Sequence, residues 1–109
     1  MEVYKVIEPA TLQGIDAALR INPFGSGFPI IIEEDFGNND IAKRRGLVPK
    51  KEEAIFSPTS IDVGKSSENA RIIMIMGEVA IKGVVFMGRI SASEKGDNGD
   101  DNFPELLIV

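Results

Sequence analysis

A β-rich α+β domain, built as a small antiparallel or mixed sheet or barrel with one or two short helices, is the fold class this sequence predicts, and three observations predict it. The aliphatic residues are skewed toward branched types, 15 Ile and 8 Val against 5 Leu, and branched side chains pack well on a pleated surface. Apolar runs recur along the chain between Gly, Pro and Asn breaks, at the spacing of strands. Only one segment, residues 10–20, carries a clear helical period. The length of 109 residues predicts one domain with one core.

Residues 2–7 alternate closely enough to predict a first strand, ended by Glu8-Pro9. Pro9 suits the first turn of a helix, and Leu12, Ile15 and Leu19 follow at the spacing of one buried helical face. Gly14 inside that helix costs up to about 1 kcal/mol relative to Ala, so docking must hold it. Residues 22–29, with Pro23, Pro29, Gly25 and Gly27, read as a turn or loop that carries two phenylalanines, Phe24 and Phe28. Phe28 to Ile32 reads as a buried strand reaching water at Glu33-Glu34-Asp35. A second short helix is expected from about Asp40 to Arg45, capped by Asn38 or Asn39 and stopped by Gly46. Pro49 and Pro58 bracket a charged segment expected to be irregular. The main strand region is Ala70 to Met76, followed by Val79 to Ile81 and Val84 to Ser91, with Gly77 and Gly83 each a hairpin turn or a bulge. An acidic loop, Glu94 to Asn102, precedes a C-terminal strand, Leu106 to Val109.

Cysteine and histidine are both absent. That removes disulfides, thiolate nucleophiles, thiolate zinc sites and the imidazole relay of the commonest hydrolases. Any acid–base work would fall to carboxylates or lysines with shifted pKa values. The balance of 12 basic against 17 acidic residues, net charge −5 and pI near 4.7, opposes non-specific binding to nucleic acid or anionic lipid. The N-terminus lacks the basic head and apolar run of a secretory signal. Glu78 and Lys82 interrupt the most apolar stretch, residues 72–88, so no membrane span is expected. These features predict a cytoplasmic or virion protein with no nucleic-acid or membrane partner and no cofactor.

Candidate sites are few. Gly25-Ser26-Gly27 and Gly64-Lys65-Ser66 each lack the rest of a phosphate-binding loop and read as plain connections. The loop 97–102 offers Asp97, Asp100 and Asp101 as oxygen ligands for a cation such as Ca²⁺ or Mg²⁺ but does not match an EF-hand, since its third position is Gly99. Glu33, Glu34 and Asp35 form a second acidic cluster. Lys43, Arg44, Arg45, Lys50 and Lys51 break the acidic field with a basic patch that lacks stacking aromatics, so a solvated helix end or a protein contact is favoured over RNA. Met74, Met76 and Met87 are expected to fill the core, an adaptable binding surface being the alternative. If Ile72, Met74 and Met76 face one way and Ile73 and Ile75 the other, both faces of that strand are apolar, which calls for further protein on the outer side. Ile72, Ile73, Ile75, Val84, Val85 and Ile90 are accordingly assigned to the core or a subunit interface. Phe24, Phe28, Lys43, Arg44 and Arg45 are the candidate interface residues.

The segment Ile75-Met76-Gly77-Glu78-Val79, with Gly83 to Ser93 after it, resembles parts of the small head-decoration proteins of lambda-type tailed phages. That resemblance covers under a fifth of the chain and implies a trimer clamped onto a capsid lattice. The leading expectation is a non-enzymatic structural protein that associates with itself, as a dimer or trimer, or docks on a larger assembly such as a capsid. The alternative is a small-molecule or ion-binding regulatory domain using the loop 25–27 or the loop 97–101.

Overall fold

The structure is a computed structural model and describes residues 2–37, 39–67, 70–94 and 103–109. Six strands close into an antiparallel barrel in chain order: β1 (Glu2–Glu8), β2 (Phe28–Glu34), β3 (Lys51–Ser67), β4 (Ala70–Ile81), β5 (Val84–Glu94) and β6 (Glu105–Ile108). β6 pairs with both β5 and β1, so the sheet closes on itself and loses most of its open edges. Two short helices interrupt the meander: α1 (Leu12–Ile21) joins β1 to β2, and α2 (Asp40–Arg44) lies between β2 and β3.

Side chains alternate across the wall as the pleat requires. Val6, Ile30, Ile32, Ala54, Phe56, Ile73, Ile75, Val79, Ile90 and Leu106 point inward and are buried in one core cluster with Phe28, Leu12 and Ile15. Ile72, Met74 and Met76 face outward, so the two apolar faces expected of this strand are the inside and the outside of a barrel. α1 closes one end. Its Leu12 and Ile15 enter the core, Asp16 accepts two hydrogen bonds from Arg71 of β4 at 2.6 and 3.2 Å, and Gln13 donates to Glu94 of β5 at 2.9 Å.

Several expectations are corrected. Pro9 stands two residues before the helix N-cap, Thr11, whose hydroxyl accepts from the Gly14 amide at 3.0 Å, and is not in the first turn. Gly14 has its own reason: a Cβ there would lie 2.8 Å from the Pro9 Cβ, so the turn from β1 into α1 needs a residue without one. The segment bracketed by Pro49 and Pro58 is not irregular but, from Lys51 on, belongs to β3, 17 residues long. A proline fits because β2 pairs with β3 only from Lys51 to Phe56, which leaves Pro58 at a one-sided position beside a bulge. Gly77 is neither a turn nor a bulge, and β4 runs straight through it opposite Pro58. A Cβ at Gly77 would fall 2.5 Å from the Ser57 carbonyl oxygen and 2.7 Å from the Phe56 ring. The turn is at Lys82-Gly83, both with positive φ (49° and 80°), as a two-residue hairpin of the I′ type demands.

Phe28 is not an interface residue. It is 1% exposed and packs its ring 5.8 Å from that of Phe56, because β2 begins at Phe28, as the strand reading of residues 28–32 expected, and its pleat turns that side chain inward opposite Phe56. Val84 and Val85 do not enter the core, being 54% and 60% exposed: β5 extends past β6 at Val84, and Val85 lies on the outward face of the strand. Met74 and Met87 likewise face solvent, and Met76 is half-buried. No helix among the described residues is long and apolar enough to cross a membrane.

Candidate functional site

Strand register places two outward-facing rows side by side on the barrel wall. In the first, Pro29 of β2 lies opposite Ile55 of β3, Ile55 opposite Ala80 of β4, and Ala80 opposite Val85 of β5. Every residue in this row is apolar. The second row runs from Glu8 through Ile31 to Glu53, with Glu8 turned outward by a bulge between Val6 and Glu8. Between them the rows form a groove of about 490 Å³, with the Lys82-Gly83 turn at one end. Its floor is aliphatic and its flank carries two carboxylates. Ile55 is 46% exposed, and Met87 and Val109 extend the apolar surface along β5, where the Val109 amide donates to the Met87 carbonyl at 3.0 Å.

A second feature occupies the mouth of the barrel away from α1. Tyr4 lies opposite Leu106 and Glu34 in register, and its hydroxyl donates to the Glu2 carboxylate. That hydrogen bond, partial burial, and the nearby charges of Glu2, Glu34 and Glu52 push the Tyr4 pKa up to about 12. A phenol held protonated in this way is unsuited to act as a nucleophile or base. Glu52 also takes an ion pair from Lys82 at 3.3 Å. No group of three or more acidic residues is arranged to hold a metal among the described residues, and none of their charged side chains is buried.

The expected sites fare unequally. Phe24 is 57% exposed on the loop between α1 and β2 and does not line the groove. Lys43, Arg44 and Arg45 are exposed on α2 and the turn that ends it. Asp97, Asp100 and Asp101 lie outside the described residues. Sequence reading missed Ile31, Ile55, Glu8 and Glu53, which only the cross-strand register brings together. The one available signal was alternation within β3, where Ala54 and Phe56 imply an outward Ile55. Comparison with protein-family models, with curated proteins and with solved structures finds no match.

Proposed function

We propose that this chain is a non-enzymatic structural domain that works by associating with itself or docking on a larger protein assembly. The observation that carries this reading is the unbroken apolar row Pro29, Ile55, Ala80 and Val85 on the outside of a barrel whose own core is already complete. Extended apolar surface of this kind marks an interaction site on small soluble domains. The absence of His and Cys and the protonated Tyr4 phenol support the non-enzymatic half. The resemblance of residues 75–93 to phage head-decoration proteins names the assembly to try first, a capsid lattice, and a dimer or trimer as the stoichiometry.

Sedimentation velocity across a concentration series is the test. The wild-type chain should sediment as an oligomer at high micromolar concentration, and Ile55→Glu with Val85→Glu should return it to a monomer with an unchanged thermal midpoint. A wild-type monomer at every concentration that also fails to co-sediment with an assembled capsid lattice would overturn the reading. A small-molecule binding domain is the second reading, favoured by the groove volume of about 490 Å³, which falls in the usual range for ligand sites.

A further inference from the structure

The segment between β2 and β3 forms an arm, residues 39–50, whose sequence and shape answer those of the groove. Its helix is only five residues long, but both ends are locked. The Asn39 side-chain oxygen accepts from the Ala42 amide at 3.2 Å. At the other end the amides of Leu47 and Gly46 donate to the carbonyls of Ala42 and Lys43, each at 3.1 Å, with Gly46 at φ +68° in the left-handed position such a stop requires. The arm therefore has a set shape before it meets anything, which lowers the ordering cost of binding.

Among the described residues, almost nothing of its own chain covers it. Ala42 is its one buried residue, while Ile41, Leu47 and Val48 are 63%, 55% and 82% exposed. Lys43, Arg44, Arg45 and Lys50 are exposed beside these aliphatics and make no ion pair among the described residues. Glu8 and Glu53, on the groove flank, are exposed and equally without an ion pair there, whereas Lys82 at the groove's end is engaged by Glu52. No residue of the arm lines the groove of its own chain.

We infer that the groove is the seat for the arm of a second copy of this chain. The aliphatic tip of the arm, Leu47 and Val48, meets the floor formed by Ile31, Ile55 and Ala80. Lys43 and Arg44 meet Glu8 and Glu53. Complementary charge sets the orientation and steers encounter, while the apolar contact supplies the burial. Arm and groove are different surfaces, so each copy both gives and receives, as a reciprocal pair or a closed ring. The inference rests on the self-association proposed above and specifies how it occurs.

A charge-swap experiment tests it. One variant carries Lys43→Glu and Arg44→Glu, the other Glu8→Lys and Glu53→Lys; all four positions are exposed, and matching far-ultraviolet circular dichroism and thermal midpoints verify folding. Each variant alone should sediment as a monomer where the wild type is oligomeric, with association weakened roughly tenfold or more. An equimolar mixture should recover oligomers, because the acidic arm then meets the basic groove and the basic arm the acidic groove. Raised salt should weaken wild-type association as the rim charges are screened. If both variants associate as the wild type does, or the mixture stays monomeric, the arm-to-groove contact is overturned while self-association stands. A wild type that is itself monomeric overturns both. Native mass spectrometry that finds a small molecule retained by the wild type and lost from Glu8→Lys with Glu53→Lys gives the groove to a ligand and overturns the inference.

Discussion

Tyr4 is the sole tyrosine in a chain without tryptophan, so its ionisation can be followed directly by absorbance. The protonated phenol is held by its hydrogen bond to Glu2, by partial burial and by the surrounding carboxylates, and the midpoint should appear near 12 where an ordinary tyrosine titrates near 10. Because the native pKa lies above the unfolded one, this contribution to stability is complete below about pH 10 and is lost as the pH rises toward 12. Tyr4→Phe should flatten that alkaline decline, and an absorbance midpoint near 10 would show that the Glu2 contact does not form. At Gly77 the constraint is steric: the Ser57 carbonyl and the Phe56 ring stand where a Cβ would go. Gly77→Ala should cost about 1–3 kcal/mol, the usual range for forced overpacking, measured by urea denaturation.

Among the elements, α1 shows docking prevailing over propensity. A ten-residue helix containing glycine is marginal alone, but Ile15 is fully buried in the barrel end and Arg71 grips Asp16. Ile15→Ala should therefore cost about 2–5 kcal/mol, while Ile21→Ala, at a residue 79% exposed, should change stability by less than about 0.5 kcal/mol. Equal losses at the two positions would contradict the docking of α1. Arg71→Met should lower the thermal midpoint in low salt, with a smaller difference in high salt, since the guanidinium is partly exposed and its charge is held by Asp16. Strand β3 has two regimes. Residues 51–56 are paired on both sides, whereas residues 60–64 pair only with β4 and leave Val63 55% exposed.

For the molecule as a whole, that pairing map predicts a gradient of local stability. β4 is flanked along its length by β3 and β5, so its central amides should exchange slowest, near the rate of global unfolding, and those of residues 60–64 should exchange much faster. Uniform protection across β3 would mean that another strand covers its outer edge. The molecule measures 40 × 38 × 20 Å with a radius of gyration of 14.2 Å, against about 13 Å for a compact chain of this length. The excess fits a small barrel from which the long β3–β4 pair and the arm project, and these projections carry much of its exposed aliphatic surface.

The sequence by itself determined the β-rich class, the position of α1 and α2, and the two-faced character of residues 72–76. Each follows from local information: branched side chains, a helical spacing at Leu12, Ile15 and Leu19, an asparagine cap at 38 or 39 with a Gly46 stop, and an unbroken apolar run at residues 72–76. Pairing and burial were decided by the tertiary structure. Nothing local distinguishes Val84 from Ile90, since both are branched residues on the same face of one apolar strand, yet β6 ends before Val84 and leaves it exposed while Ile90 is fully enclosed. Pro58 reads as a strand breaker until β2 is seen to stop at Phe56. The groove is legible only in register, because Glu8, Ile31, Glu53 and Ile55 come from three strands, and a slip of one residue would turn its apolar floor inward and its core outward.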